Sequence, residues 1–305
     1  MSDKCRIRQI GENDACIVAM GDRDVTLTEL MAAVESALGL SKLQPIGSGG
    51  QKIVASADFG GHAAIVKIVL IPPGPNGLMT LERAHREVEL LAAVNSDAVV
   101  KVLTDAVEIG DVPDAVCWVE ERLEGEDLDH HLSSPWQESE VWVLAEDLAS
   151  ALVACHEQEV VHRDLSPRNI RRLPNDRYVV MDPGLARHLA RVAITGLMQP
   201  GSFGWMSPEH VPGGHAVPAS DVFSVGVVLY CALSGGDLPV PYAFDDPDYF
   251  RRLAHEQAPS VRALRPDISD ELVTLVDRCL ERQVARRFLD GEELLTAVRA
   301  SRGGN

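Results

Sequence analysis

The segment His162-Arg163-Asp164-Leu165-Ser166-Pro167-Arg168-Asn169, followed by Asp182-Pro183-Gly184, decides the fold of this chain. It places a carboxylate and an amide five residues apart, Asp164 and Asn169, and a second carboxylate, Asp182, thirteen residues further on. In a phosphoryl-transfer site, one carboxylate orients the attacking hydroxyl, while an amide oxygen and a second carboxylate hold Mg²⁺ against the phosphates. The stretch predicts such a site if matching groups lie on both sides of it.

The bulk composition excludes several classes of protein. The chain of 305 residues is long enough for two modest lobes, and its apolar fraction of 46% is that of a globular protein. A net charge of −18 repels nucleic acid and anionic membranes, so neither is expected as a partner, while basic protein surfaces are attracted. Met1 to Ile10 carries no signal peptide, and the longest apolar run, Val222 to Leu233, is too short for a membrane helix. We expect a cytoplasmic protein, whose oligomeric state the sequence leaves open.

The cysteines are scattered without a Cys-x-x-Cys pair, and most stand in apolar runs. This pattern predicts buried reduced thiols rather than disulfides or metal ligands. The six are Cys5, Cys16, Cys117, Cys155, Cys231 and Cys279.

Hydrophobic periodicity divides the chain into regions. Residues 1–42 are predicted to form a small β/α extension, which either packs on the next lobe or serves as a docking or regulatory module. Residues 43–122 are strand-rich, residues 123–300 are helical, and 301–305 form a flexible tail. The predicted strands are Ala15–Met20, Ile53–Ser56, Ala63–Leu70, Val99–Leu103 and Val116–Glu120. The predicted helices are Thr28–Leu38, Thr80–Val94, Val141–Gln158, Asp221–Leu233, Asp270–Glu281 and Asp290–Ala300, with a loop over Pro72–Gly77. The result is an α+β fold with a small β-rich lobe, a larger helical lobe and a cleft between them as the natural ligand site.

From about residue 43 to 300 the chain resembles the eukaryotic-like Ser/Thr protein kinases of bacterial type, because most of that family's motifs occur in order. The resemblance implies a bilobal protein-kinase-like fold that uses ATP with Mg²⁺ and phosphorylates Ser or Thr hydroxyls of protein substrates. It implies that Asp164 is the catalytic base or hydroxyl-orienting acid, and that Asn169 and Asp182 are the metal ligands.

A glycine-rich segment resembles the phosphate-binding loop of these kinases. Gly47-Ser48-Gly49-Gly50 is followed by Lys52 and Val54, and glycines let backbone amides approach phosphates closely. A simple hairpin turn is the alternative interpretation. Lys52 stands where a third glycine is usual.

Lys67 resembles the strand lysine that contacts the α- and β-phosphates. Its expected partner is Glu87, with Glu89 as the competing choice, because a lysine flanked by apolar residues is costly unless it is paired. An edge-strand lysine is the alternative.

The segment from Val119 to Leu128 resembles the linker between the lobes, in which backbone groups of Glu121 and Leu123 would hold the adenine edge. Asp127 would bond a ribose hydroxyl or a basic substrate side chain. Glu120 would then stand at the back of the adenine pocket, where the family usually has an apolar residue. Either the register shifts by one residue or the pocket is unusual.

Other motifs concern the activation segment and the substrate. Ser207-Pro208-Glu209 resembles the motif that ends this segment, with Glu209 paired to Arg287, and it favours a protein substrate over a small molecule. Asp221 would brace the catalytic loop, cap a helix after Ser220, or do both. Ser202, which would contact the catalytic acid, favours Ser/Thr specificity, although Trp205 is tyrosine-kinase-like. Arg163 beside Asp164 suggests control by phosphorylation of the activation segment, at Thr195 first and Ser202 second.

The chain also departs from the family pattern. Ser166 replaces the usual lysine, Arg168 resembles the tyrosine-kinase arrangement, and Pro183 replaces an aromatic residue. We hypothesise that Lys52 supplies the phosphate-directed charge that Ser166 lacks. The same departures, with the degenerate glycine loop and Glu120, motivate the alternative of a pseudokinase that acts as an ATP-binding or scaffolding module.

Overall fold

The computed structural model describes residues 7–9, 16–20, 23–49, 52–111, 113–182, 204–210, 214–242 and 246–302. They fall into two compact units. The sheet unit contains the described residues up to Ala93 and those from Lys101 to Arg122, and the helical unit contains Val94–Val100 and the described residues from Leu123 onward. No helix within the described residues is both long enough and apolar enough to cross a membrane.

The sheet unit begins with a three-stranded antiparallel sheet and a helix. Strands β1 (Ile7–Gln9), β2 (Cys16–Met20) and β3 (Arg23–Thr26) precede helix α1 (Leu27–Leu38). A capping box starts α1, because the Thr26 hydroxyl accepts the Glu29 N–H at 3.2 Å and the Glu29 carboxylate accepts the Thr26 N–H at 2.9 Å. Gly39, with a φ of 64°, ends the helix in the left-handed conformation that favours glycine.

The main sheet of this unit has five antiparallel strands in the order β4-β5-β6-β8-β7. They are β4 (Ser41–Gly49), β5 (Lys52–Phe59), β6 (His62–Leu70), β7 (Val107–Ile109) and β8 (Ala115–Glu121). One face carries alternate apolar residues such as Ile53, Val66 and Cys117, which form one core with Leu30 and Val34 of α1. The extension therefore shares its hydrophobic core with the main sheet.

Helix α2 (Pro75–Ala93) packs against β8 through a buried stripe at Thr80, Ala84, Val88 and Leu91. The helix begins at Pro75, so the loop predicted over Pro72–Gly77 is wrong from that residue onward. Proline is favoured at the first helical position, where its missing N–H costs nothing.

The predicted strand over Val99–Leu103 is also wrong as a continuous element. Only isolated bridges occur, Val99 with Val180 and Val102 with Glu120. Because the segment divides its pairing between two different partners, no regular ladder forms.

The helical unit combines a small sheet with five helices among its described residues. The sheet order is β11-β10-β9, from β9 (Glu126–Asp127), β10 (Ile170–Arg172) and β11 (Tyr178–Val180). The helices are α3 (Glu138–Glu157), α4 (Pro218–Ser234), α5 (Asp246–His255), α6 (Asp270–Cys279) and α7 (Gly291–Arg302). Helix α4 is buried from Ala219 to Leu233, as its continuous apolar run predicts. At the start of α7, an added Cβ on Gly291 would lie 2.4 Å from the Val153 nitrogen, so only glycine permits this approach to α3.

The four cysteines whose side chains are described are free and buried. Burial raises the pKa of the thiols of Cys117, Cys155, Cys231 and Cys279 to about 12. The prediction of buried reduced thiols is confirmed for these four. Cys5 and the side chain of Cys16 lie outside the described residues.

Candidate phosphoryl-transfer site

Asp221 of α4 holds the backbone of the catalytic-loop segment, residues 162–169, through hydrogen bonds. Its carboxylate accepts the backbone N–H of His162 at 2.7 Å and that of Arg163 at 2.8 Å. Asp221 is almost fully buried, and Arg163 takes a left-handed φ of 67°. Such a conformation is costly for a residue other than glycine and persists where the surroundings impose it. The predicted bracing role of Asp221 is confirmed.

The alternative that Asp221 is a plain helix cap is wrong. Helix α4 starts at Pro218 after Val217, so Asp221 already lies inside the helix. At the start of α4, the Ser220 hydroxyl instead accepts the N–H of the N-cap residue Val217 at 3.0 Å.

His156, which the motif analysis missed, is part of the same brace. Its Nε2 lies 3.0 Å from the Asp221 carboxylate, and its Nδ1 accepts the backbone N–H of Gly291 at 3.1 Å. Because Nδ1 is an acceptor, Nε2 carries the proton and donates to Asp221. A histidine near the end of an amphipathic helix gives no sequence signal that separates this role from a solvated position.

His162 links the proposed catalytic acid to the proposed metal ligand. Its Nδ1 accepts the Asp164 N–H at 3.3 Å, so its Nε2 is protonated and donates to the Met181 carbonyl at 3.0 Å. Met181 directly precedes Asp182, which itself has a left-handed φ of 53°. The imidazole, which is fully buried, therefore fixes the backbone beside both carboxylates.

Asn169 completes this network. Its side-chain amide donates to the Asp164 carbonyl at 2.7 Å, and its backbone carbonyl accepts the Met181 N–H at 2.8 Å. Since the NH₂ group is the donor, the amide oxygen is the atom of Asn169 left to bind a cation. An amide oxygen with a nearby carboxylate is the oxygen-rich donor set that Mg²⁺ prefers, so these residues fit the metal that the sequence implies.

The pair predicted between Glu209 and Arg287 is confirmed. Two parallel hydrogen bonds of 2.7 Å join the guanidinium to the two carboxylate oxygens, and Ser220 donates a third at 2.6 Å. Burial raises the pKa of Glu209, but the hydrogen bonds from Arg287 and Ser220 outweigh it and leave the pKa below its ordinary value. Arg287 is fully buried, and such bidentate pairs are among the strongest in proteins.

Asp127, predicted to face a ribose or a basic substrate, is engaged within the chain. Its carboxylate lies 3.2 Å from the guanidinium of Arg171. Burial raises the pKa of Asp127, and Arg171 partly offsets this. A second pair lies beside it, between Arg168 and Asp129 at 3.3 Å. A ligand that bonds Asp127 would have to share it with Arg171.

In the sheet unit, Lys67 lies on the central strand β6, between β5 and β8. The alternative of an edge-strand lysine is therefore wrong. Cross-strand pairing places Lys67 opposite Val54 on one side and opposite Trp118 on the other, and it places Gly47 opposite Val54. The glycine segment, Val54 and Lys67 thus share the face of the sheet that α1 does not cover.

The glycine-rich segment ends β4 in a hairpin with β5. Ser48 pairs with Ile53 and Gly49 with Lys52, which places Lys52 on the same face as Lys67. Gly47 does not take a left-handed conformation, and an added Cβ there would meet no atom within 4 Å. Neither backbone strain nor internal packing requires a glycine at this position.

Glu120 is the unexpected member of the site. Its side chain is 4% exposed, its Oε2 lies 3.7 Å from the Lys67 ammonium, and its Oε1 accepts the Trp118 indole N–H at 2.8 Å. Glu120 itself is buried, and its place at the back of an adenine pocket stays a prediction. The sequence flagged this residue as an anomaly but gave no sign that Lys67 would be its partner.

The remaining predicted residues are placed only in part. The Glu121 N–H donates to the Lys101 carbonyl at 2.9 Å, so this N–H is already engaged within the chain. Leu123, which follows β8 and precedes β9 in the sequence, is half-buried. Glu87 lies in α2, but its side chain lies outside the described residues, as do the residues Gly50, Pro183, Thr195 and Ser202.

Comparison with known proteins identifies the family to which this architecture corresponds. The family model described as "Protein kinase domain" matches residues 40–295 of this chain. Serine/threonine-protein kinase pkn2 of Myxococcus xanthus is 31% identical over 276 residues, which cover 85% of this chain and 32% of that protein. The kinase drp72 of Corynebacterium efficiens is 32% identical over 272 residues, which cover 85% of this chain and 50% of that protein. The chain thus spans a third to a half of these curated relatives.

Solved structures show the same fold. The PknI kinase domain of Mycobacterium tuberculosis aligns with a TM-score of 0.63 at 20% identity, covering 88% of this chain and 98% of that one. A Rad53 fragment in complex with AMP-PNP aligns with a TM-score of 0.67 at 19% identity, covering 87% of this chain and 65% of that one. The expected fold, with a β-sheet lobe and a larger helical lobe, is confirmed.

Proposed function

This chain belongs to the protein kinase family, and we propose that it is an ATP-dependent kinase that phosphorylates Ser or Thr hydroxyls of proteins. The observation that carries the proposal is the hydrogen-bonded network of Asp164, Asn169 and the backbone before Asp182, braced by Asp221. The printed names of the relatives, which are serine/threonine-protein kinases, support the choice of hydroxyl.

The residues have distinct roles in this proposal. Asp164 accepts a hydrogen bond from the substrate hydroxyl and orients its oxygen toward the γ-phosphorus. Lys67 and the backbone of Gly47, Ser48 and Gly49 hold the phosphates. The linker backbone at Glu121 and Leu123 holds the adenine.

Asn169 and Asp182 would hold Mg²⁺, which neutralises charge on the phosphates when it is bound. The hydrogen bond from the Asn169 amide to the Asp164 carbonyl and the left-handed backbone of Asp182 support a site that is ordered before the nucleotide arrives. This preorganisation reduces the ordering that binding and catalysis would otherwise require.

The substrate and its setting follow from charge and family. A net charge of −18 attracts basic proteins at long range, so we expect basic protein substrates in the cytoplasm, where ATP is available. We also expect autophosphorylation within the activation segment, at Thr195 or Ser202. The Ser202 hydroxyl would contact Asp164, as the resemblance implies.

The test is incorporation of phosphate from γ-labelled ATP into the protein itself and into a basic protein such as histone. Asp164→Ala should abolish incorporation and retain ATP binding and thermal stability. Asp176→Asn is the matched control, because this exposed aspartate pairs with Arg172 away from the network. ATP binding without transfer by the unmodified protein would instead indicate a pseudokinase, and turnover of metabolites alone would indicate a small-molecule kinase.

A further inference from the structure

The sheet unit contains a buried carboxylate, that of Glu120 on β8, whose burial costs free energy. Glu120 is 4% exposed in the middle of an apolar strand, and a buried charge is tolerated only when it is paired and hydrogen-bonded. Its two oxygens meet these conditions in different ways. One accepts the Trp118 indole N–H, and the other faces the Lys67 ammonium.

The register of the sheet explains why these three residues meet. Lys67 and Trp118 are directly opposite each other on β6 and β8, and Glu120 lies two residues further along β8 on the same face. A long side chain reaches such a diagonal neighbour across an antiparallel pair. The contact between Lys67 and Glu120 therefore follows from strand pairing and needs no movement of a loop.

Of the two charged partners, Glu120 is the fixed one. Strand β8 pairs with β6 on one side. On its other side the Leu103 N–H donates to the Val119 carbonyl at 2.8 Å and the Glu121 N–H donates to the Lys101 carbonyl at 2.9 Å. The indole of Trp118, which is fully buried, holds the carboxylate from within the strand. Lys67 has a flexible four-carbon stem, so the ammonium is the member of the pair that can change position.

We propose that Glu120 is a positioning residue that competes with bound phosphate for the Lys67 ammonium and thereby limits the affinity of this protein for nucleotide phosphates. The inference rests on the proposed function, in which Lys67 contacts those phosphates. Before nucleotide binds, the ion pair offsets the burial of both side chains. When phosphates bind, they and Glu120 attract the same ammonium, and the fixed carboxylate adds a repulsion that a neutral residue would not.

This role predicts effects of opposite sign on binding and on stability. Glu120→Gln keeps an oxygen that accepts the Trp118 indole N–H and removes the charge. ATP should then bind about three- to tenfold more tightly, the size expected for one charge at this range in a partly screened environment. The melting temperature of the nucleotide-free protein should fall, because Lys67 loses a buried counterion. If Glu120 had a purely structural role, Glu120→Gln would lower both the affinity for ATP and the melting temperature.

Isothermal titration calorimetry with ATP and with adenosine provides the test. Adenosine has no phosphate, so it reports any effect of Glu120→Gln on the adenine and ribose alone, and the ratio of the two dissociation constants isolates the effect at the phosphates. Glu108→Gln removes the same charge from an exposed position on β7, where Glu108 contacts His85, and should change neither ligand. If Glu120→Gln does not fold, the same ratio is measured in Glu120→Met, which also removes the charge.

The outcomes separate this inference from the proposed function. ATP affinity that is unchanged or weaker in Glu120→Gln, or an equal gain for adenosine, overturns the role of Glu120. Lys67→Met should weaken ATP binding and leave adenosine binding intact. If Lys67→Met binds ATP and transfers phosphate normally, the proposed site itself is wrong, whatever Glu120 does.

Discussion

The backbone N–H of His162 donates to the carboxylate of Asp221 at 2.7 Å, across 59 positions of sequence. The other oxygen of this carboxylate accepts the next amide along the loop, and His156 donates to the oxygen that accepts the His162 N–H. A helix at the centre of the helical unit thus fixes the backbone that leads directly into Asp164. Because Asp221 lies inside a buried helix, this support is rigid.

We expect Asp221→Asn to lower kcat about 10- to 100-fold with a small effect on the KM for ATP, since small displacements of catalytic groups have effects of this size. Asparagine has one acceptor oxygen and would place an NH₂ group against one of the two amides. Steady-state kinetics with a protein substrate would show whether kcat falls while the KM for ATP stays nearly unchanged. Asp270→Asn, at an exposed helix start, is the control. A folded Asp221→Asn protein with normal kcat would contradict the bracing role.

The pair of Arg287 and Glu209 should dominate stability in its region. Arg287→Ala leaves the Glu209 carboxylate mostly buried without its partner, and breaking such a pair costs about 3–5 kcal/mol of unfolding free energy. Arg287→Lys should recover only part of this, because an ammonium cannot form both parallel hydrogen bonds. Denaturant titration measures both variants.

The matched comparison is Arg251→Ala, which removes an exposed pair with Asp248. Exposed pairs are worth little, so the loss there should be within about 0.5 kcal/mol. A similarly small loss in Arg287→Ala would contradict the importance of the buried pair.

Stability should depend on pH through Glu209. Burial alone would raise its pKa, but the hydrogen bonds from Arg287 and Ser220 leave the pKa below 4.5 in the folded protein. The unfolded chain therefore binds this proton more readily, so the stabilisation is present above about pH 4.5 and is lost as pH falls through the lower folded pKa.

Melting temperatures from pH 3 to 7 for the unmodified protein and Glu209→Gln provide the measurement. The difference between the two curves should shrink as the solution becomes acidic. Three other carboxylates with lowered pKa values, Glu29, Glu138 and Asp267, are present in both proteins, so their contributions cancel. A difference that stays constant across this range would contradict the assignment.

Lys52 lies on the same face of the sheet as Lys67, at the first position of β5. If it supplies charge that Ser166 cannot, Lys52→Ala should raise the KM for ATP about three- to tenfold, the effect of losing one nearby charge. Ser166→Lys in the Lys52→Ala background should recover activity. Lys42→Ala, an exposed lysine on β4, controls for the change in net charge. Unchanged ATP affinity and turnover in Lys52→Ala would eliminate the hypothesis.

Sequence reasoning succeeded where a motif carries its own chemistry. The pairing of Glu209 with Arg287 and the bracing by Asp221 were both implied by the resemblance of their motifs to the kinase family, and the hydrogen bonds of both residues agree with it. Strand β6 was predicted from its β-branched residues. These features depend on local composition or on groups that must be satisfied wherever they lie.

The failures have physical causes as well. The proline- and glycine-rich composition around Pro75 predicts a loop, but Pro75 is the first residue of α2. Because proline is common both in loops and at the first position of a helix, composition alone does not distinguish the two structures. Val99–Leu103 has strand-like residues but divides its pairing between two partners. The contact between Lys67 and Glu120 depends on the register of β6 with β8, which no local pattern specifies.

Helix α1 has a practical consequence for anyone who trims this protein. A version that starts where the family match starts, at residue 40, would discard Leu30, Met31, Val34 and Leu38 but keep the sheet face they cover. That face would become a solvent-exposed apolar patch, and such patches promote self-association. Trimming should therefore stop upstream of Thr26, whose hydroxyl starts the helix that keeps the catalytic sheet soluble.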